Sequence, residues 1–322
     1  MSEPSMKQIL SEIDAAAHRL YPHVRKTWLE YSPHFSELTG AKVWLKLENL
    51  QRTGSFKVRG AFNKLLSLEA HELARGCVTA SSGNHGAASA YAMAKLGVKG
   101  LIFVPQTTSS SKLAAIHRYG GEVRLFGRES GESEGEARRY AAENGMTYIS
   151  PYNDLAVLAG QGTCGVEMAD QLDAIDAVFV SVGGGGLIGG IGAYLKSRDS
   201  AIEVVGCLPE NSPAMARALE AGRIIECEHL PTLSDGTAGS IEEGAITFPV
   251  CQAVIDNVAL VDEASIVAAM RDFIDGENML LEGSAGVALA GLKARAKSLA
   301  GKNVVVVICG ANISRDTLRD VL

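Results

Sequence analysis

The sequence predicts an α/β protein of two lobes, each built on a helix-covered, mainly parallel sheet. The first observation is rhythm: short β-branched runs alternate with Ala-rich stretches of helical periodicity along the whole chain, the pattern of parallel strands joined by covering helices. The second is length, because 322 residues exceed the usual single domain, and two lobes sharing one cleft are the default arrangement. The third is punctuation, since the glycine- and serine-rich turns that carry chemistry each follow a strand-like run.

Taken in order, residues 1–20 are polar and amphipathic, a helix rather than a signal peptide. Strands are expected at 43–47, 77–80, 100–104, 122–125, 177–182, 203–207 and 304–309, where Val, Ile and Leu dominate. Helical spacing fills most of the gaps, as at 86–96 and 191–196. No repeat, low-complexity tract or linker interrupts the chain.

A 47% hydrophobic and 21% charged composition is that of a soluble globular protein. The net charge of -7 argues against a nucleic-acid partner, which needs a basic face. No apolar run is long enough to span a bilayer. Cys77, Cys164, Cys207, Cys227, Cys251 and Cys309 are scattered, without a CxxC pair or a histidine cluster at zinc spacing. A reducing cytoplasm is the expected home.

Four stretches carry the chemistry. Gly54-Ser55-Phe56-Lys57-Val58-Arg59-Gly60-Ala61 sets a lysine between an aromatic residue and a small-residue turn; a desolvated lysine can lose its proton and attack a carbonyl. Read alone, Lys57 is more simply an exposed lysine opening a helix. Gly183-Gly184-Gly185-Gly186-Leu187-Ile188-Gly189-Gly190 lies between a buried-strand pattern and a helix, where backbone N–H groups can approach a phosphate. Gly184, Gly186 and Gly189 also fit G-x-G-x-x-G, with Glu210 about where a ribose-binding acid would stand, so a nicotinamide-dinucleotide oxidoreductase is an alternative. It leaves Lys57 without a task. Ser81-Ser82-Gly83-Asn84-His85-Gly86 offers hydroxyls and N–H groups at a helix start, suited to a substrate carboxylate or to a simple cap. Cys309-Gly310-Ala311-Asn312 follows the last strand, and its thiol read alone is a core residue.

In chain order the four stretches resemble the serine/threonine dehydratase and serine racemase family of pyridoxal-phosphate enzymes of fold type II, over about residues 27–312. The resemblance implies that Lys57 holds pyridoxal 5'-phosphate covalently and then moves the substrate α-proton. It implies that Phe56 packs on the cofactor ring, that Gly236 lies against its other face, and that Asn84 bonds its phenolic oxygen. Gly183, Gly184, Gly185 and Gly186 with Leu187 would hold the phosphate, and Cys309 would face the pyridine nitrogen. A thiol cannot hold that nitrogen protonated as a carboxylate would, which favours elimination of a β-substituent. Ser81, Ser82, Gly83, Asn84 and His85 would bind the substrate, and Ser82 matches the second acid/base of racemases.

The implied organisation is a discontinuous large cofactor-binding domain, residues 1–75 and 150–322, with a small substrate-closing domain at 76–149. A homodimer is expected. No metal site is expected, because Leu208 and Ala214 stand where metal-activated relatives carry acids. Glu134 stands where some relatives carry a basic residue for the substrate carboxylate, so a carboxylate near the cleft is expected to disfavour acidic substrates; the acids of 129–136 otherwise read as a solvated helix face. The segment 239–249 looks more like dehydratases of less familiar hydroxy amino acids, including a hydroxyectoine-breakdown group. A C-terminal regulatory domain like that of biosynthetic threonine dehydratases is not expected, since only 13 residues follow Cys309. The expected activity is dehydration of a β-hydroxy-α-amino acid to a 2-oxo acid and ammonia. The alternatives are a racemase on the same cofactor, the dinucleotide oxidoreductase, and a catalytically silent amino-acid sensor.

Overall fold

The computed structural model describes residues 3–322. Its elements run α1 (Met6–Leu20), β1 (Leu29–Tyr31), α2 (Pro33–Thr39), β2 (Lys42–Lys46), α3 (Lys57–Leu66), α4 (Ala70–Arg75), β3 (Cys77–Ala80), α5 (Asn84–Leu96), β4 (Gly100–Val104), α6 (Ser110–Arg118), β5 (Glu122–Leu125) and α7 (Ser130–Glu143). They continue β6 (Thr147–Tyr148), α8 (Leu155–Gln171), β7 (Ala177–Ser181), α9 (Gly186–Arg198), β8 (Glu203–Pro209), α10 (Ala214–Ala221), α11 (Thr247–Val254), β9 (Asn257–Val261), α12 (Glu263–Glu277), α13 (Gly283–Ala294), β10 (Asn303–Val307) and α14 (Arg315–Val321).

Two sheets result. The larger has the order β1-β2-β10-β7-β8-β9 and the smaller β5-β4-β3-β6. Every pairing is parallel except that of the short edge strand β1 with β2. Burial follows from parallel pairing: β7 is buried along its whole length, as a strand covered on both faces must be. The main core lies around β7, β8 and β10, where Phe179, Val205 and Val305 meet Phe273 and Leu289. A second core joins α1, α3, α5 and α8 through Ile13, Phe62, Met93 and Leu158, and so ties the coverings of both sheets together. In α1, Ser5 and Gln8 form a reciprocal cap, and the buried Ile9, Ile13, Ala16 and Leu20 fall at helical spacing.

The seven expected strands are present with shifted ends: β8 runs on to Pro209, while β7 and β10 stop at Ser181 and Val307. Three strands escaped the sequence. β1 and β6 are too short to show a period, and β9 is a half-exposed edge.

A buried charge network anchors α3. Arg59 donates to Glu48 Oε2 from Nε at 2.8 Å and to Glu167 Oε1 from Nη1 at 2.7 Å, while Lys46 Nζ meets Glu167 Oε2 at 2.6 Å. All four side chains are fully buried. Two cations balance two anions, which is what makes their burial tolerable. Arg59 lies two residues beyond Lys57, so the network fixes the start of the helix that carries the lysine.

Candidate active site

A cavity of about 540 Å³ lies between the two sheets, beyond the carboxyl ends of β3, β7 and β10, where open parallel sheets place their ligands. Every site residue that the family resemblance nominated lines it.

Lys57 is the first residue of α3. Its Nζ donates to Pro151 O at 2.9 Å and sits 5.2 Å from the centre of the Phe56 ring. The side chain is only half-buried by area, but the ammonium itself is enclosed. Burial pushes it down to about 8, against an opposing pull from Cys309 and Glu282. The turn before it is stitched to the strand end opposite: Phe56 N donates to Cys309 O at 3.1 Å, and Ala311 N to Gly54 O at 2.8 Å. Gly54 has φ 73°, and a Cβ there would lie 2.7 Å from Asn312 Oδ1. Two motifs some 250 residues apart in sequence thus form one wall, and the glycine is required by both angle and space.

The glycine tract joins β7 to α9. The carbonyls of Gly184 and Gly185 turn away toward α11, accepting from Thr247 Oγ1 at 2.6 Å and Cys251 Sγ at 3.6 Å. The first bond of α9 runs from Gly189 N to Gly185 O, so the N–H groups of Gly186, Leu187 and Ile188 have no acceptor within the helix. Side chains cannot be added here: a Cβ on Gly184 would overlap the Tyr152 ring, and one on Gly183 would lie 3.1 Å from Thr237 Cα. A tight cradle of free N–H groups at a helix N-terminus, facing an enclosed amine, fits a phosphorylated aldehyde such as pyridoxal phosphate.

Ser81, Ser82 and Gly83 form the turn into α5, with Gly83 N donating to Ser81 Oγ at 3.2 Å. His85 is buried, its Nε2 lies 3.2 Å from Ile149 O, and burial with the nearby Lys57 drives it down to about 3. It is therefore neutral and adds no charge for a substrate carboxylate. Asn84 Nδ2 donates to both oxygens of Glu282, at 2.8 and 2.9 Å. Burial pushes the Cys309 thiol well above its ordinary value, and the neighbouring Glu282 adds to this, so it stays protonated.

Two sequence expectations change. Glu134 lines the cavity, yet it is not a free carboxylate: its Oε1 accepts from Arg138 Nη2 at 2.9 Å and from Tyr148 OH at 3.2 Å, and Arg138 also reaches Glu242 at 2.9 Å. Its charge is largely answered before a substrate arrives. Glu210, proposed as a ribose-binding acid, is exposed and does not line the cavity.

Sequence reading missed Glu282, Ser284 and Tyr152, all of which line the cavity. Tyr152 packs on the glycine tract, and its hydroxyl accepts from Glu242 N at 2.8 Å. Glu282 precedes the small-residue start of α13, and nothing local distinguishes it from a surface acid. Only its burial, at 5% exposure, does.

The pattern of the family described as "Pyridoxal-phosphate dependent enzyme" matches residues 20–310. An L-threonine ammonia-lyase of Geobacter sulfurreducens is 38% identical over 307 residues, 95% of this chain and 76% of that protein. A biosynthetic L-threonine dehydratase of Haemophilus influenzae is 36% identical over 98% of this chain, which spans 62% of that longer protein. Among solved structures, the processed form of threonine deaminase isoform 2 from Solanum lycopersicum superposes with a TM-score of 0.94 at 34% identity, covering 98% of this chain and 87% of that one. Maize serine racemase superposes with a TM-score of 0.92 at 30% identity, covering 97% and 95%.

Proposed function

The chain belongs to the pyridoxal-phosphate-dependent enzyme family, and from that premise we propose that it dehydrates a β-hydroxy-α-amino acid, serine- or threonine-like, to a 2-oxo acid and ammonia. The observation that carries the reading is the enclosed Lys57 amine, lowered to about 8, facing the glycine cradle across one cavity. Relatives named for threonine dehydration and ammonia release, at 36–38% identity, support it. The dinucleotide alternative does not survive the family assignment.

Bound here, the cofactor supplies an electron sink that makes an amino acid's α-proton removable. The chain's residues do the rest. Lys57 would anchor the cofactor and, with substrate bound, would accept the α-proton, which a neutral amine near pH 8 can do. The N–H groups opening α9 hold the phosphate, and the Ser81–Ser82–Gly83 turn at the start of α5 binds the substrate carboxylate. Loss of the β-hydroxyl as water leaves an enamine, which hydrolyses to the 2-oxo acid and ammonia. Residues 76–149, whose strands form the smaller sheet, act as the lobe that closes over substrate. The reading includes a homodimer and a cytoplasmic home, the latter in keeping with six unpaired cysteines, five of them buried.

Racemisation is a second reading, favoured by Ser82, which lines the cavity as an acid/base candidate, and by the likeness to serine racemase. Purified protein incubated with a panel of β-hydroxy amino acids, with 2-oxo acid and D-amino acid measured separately, tests both. The dehydratase reading expects 2-oxo acid as the main product; D-isomer without it would overturn that reading.

A further inference from the structure

Glu282 is the buried carboxylate of the cavity, and the reaction as described leaves it without a task. The other acids of the lining, Glu134 and Asp235, are half-buried and exposed and are paired with Arg138 and Lys112. Among the described residues Glu282 has no cationic partner within salt-bridge distance. Its contacts are Asn84 Nδ2, at 2.8 and 2.9 Å from its two oxygens, and Asn312 N, at 3.1 Å from Oε2. The backbone holds it there: Glu282 N donates to Gly310 O at 3.0 Å. A Cβ on Gly310 would lie 2.7 Å from either carboxylate oxygen, so only glycine at 310 leaves the carboxylate room.

The hydrogen bonds around it form a line with a fixed sense. Thr53 O can only accept, and Asn312 Nδ2 donates to it at 2.9 Å. That fixes which end of the Asn312 amide is nitrogen. The same nitrogen donates to Asn84 Oδ1 at 2.7 Å, so the oxygen of Asn84 is taken and its nitrogen faces Glu282. A carboxylate is acceptor-only at the other end. Flipping Asn84 would set oxygen against carboxylate and nitrogen against nitrogen, at a carboxylate that is itself buried.

We propose that Glu282 is a positioning residue that locks the Asn84 side-chain amide in one orientation, so that Asn84 meets the cofactor only as a hydrogen-bond donor. One N–H of Asn84 spans the two carboxylate oxygens, and the other is left for the cavity. Glu282 acts through Asn84 and need not touch substrate. Its own charge state modulates the lock. Burial and, less strongly, Asp235 push Glu282 up to about 7, against the hydrogen bonds from Asn84 and Asn312 and the charge of Lys57. The groups facing it are Lys57 on α3, Cys309 after β10, and Asp235 on the segment between α10 and α11. Once protonated, the carboxyl can donate as well as accept, and the orientation of Asn84 is held from the Asn312 end alone.

The inference rests on the reading of Lys57 and Asn84 as cofactor ligands, and the test separates the two. Cofactor-free wild type, Glu282→Gln, Asn84→Ala and the double variant are titrated with pyridoxal phosphate, following the visible absorption band from pH 6 to 9 (the range to be scanned, about one to two units around neutrality). Each single change should weaken cofactor binding about tenfold, the scale of a lost charge-assisted bond. The double variant should be no weaker than the worse single, because both act through one contact. A step in wild-type affinity near pH 7 should vanish in Glu282→Gln.

Asn84→Asp provides an arm independent of that substitution. It sets two carboxylates together, so its affinity should fall more steeply than wild type as pH rises. Additive singles, wild-type affinity in Glu282→Gln, or a wild-type pH dependence in Asn84→Asp would each overturn the role of Glu282 alone. A wild-type protein that takes up no cofactor would sink the functional reading along with it.

Discussion

Replacing Gly185 with alanine probes the cradle where its backbone is left-handed. Gly185 caps α9 with φ 85°, a left-handed conformation that costs a residue with a Cβ about 1–2 kcal/mol. Its Cβ would also stand 2.5 Å from Cys251 Sγ, 2.9 Å from Met215 Cε and 3.3 Å from Thr247 Cβ. Ordinary contact between such atoms begins near 3.5 Å, so the thiol must retreat by about 1 Å. Cys251 is fully buried and its thiol is bonded to Gly185 O, so it has nowhere to go, and overpacking adds roughly 1–3 kcal/mol. The total is about 2–5 kcal/mol, shared between unfolding and displacement of the phosphate cradle. Melting of the cofactor-free protein should drop by roughly 4–10 °C, and the Kd for pyridoxal phosphate should rise at least about tenfold. Gly135→Ala is the control: a Cβ there meets nothing within 4 Å, and alanine in a helix gains up to about 1 kcal/mol. A Gly185→Ala protein with unchanged melting and affinity would refute the claim that the cradle depends on that backbone angle and that close approach.

Three further outcomes follow from the same geometry. Cofactor capture needs a neutral amine, and Lys57 sits at about 8, below an ordinary lysine; the capture rate in stopped-flow absorbance should therefore rise with pH to a plateau just above 8, whereas a rate still climbing at pH 10 (near the ordinary lysine value) would contradict the depressed value. Ser82→Ala should abolish any D-isomer formation while keeping appreciable 2-oxo acid production, and equal loss of both products in a coupled assay would assign Ser82 to binding or to the shared step. Glu167→Gln leaves Lys46 and Arg59 with one buried anion between them. It should cost roughly 3–5 kcal/mol in denaturant unfolding, and a loss under 1 kcal/mol (the scale of exposed pairs) would show that the network is not what anchors α3.

The site was more legible in sequence than the framework around it. Lys57, the glycine tract and the Ser81–Gly86 turn advertise themselves because special backbone geometry needs special residues in a row. Glu282 and Tyr152 carry no such mark: each is an ordinary residue whose meaning comes from burial against a distant segment, Asn84 for one and Gly184 for the other. The pairing of Glu134 was hidden for the same reason, since its partners Arg138 and Tyr148 lie within 14 residues but only the fold turns them toward it. The segment between α10 and α11 has neither helix nor strand, yet it brings Asp235, Gly236 and Glu242 to the cavity and its rim. Of these only Gly236 was nominated, and by resemblance, because irregular chain has no period to read.

The account stands most directly on Lys57 as the residue that carries the cofactor. Holoprotein reduced with borohydride, digested and analysed by mass spectrometry should place the phosphopyridoxyl group on the peptide containing Lys57, with none in Lys57→Ala. The same label on another lysine, or a fully coloured Lys57→Ala protein, would contradict it.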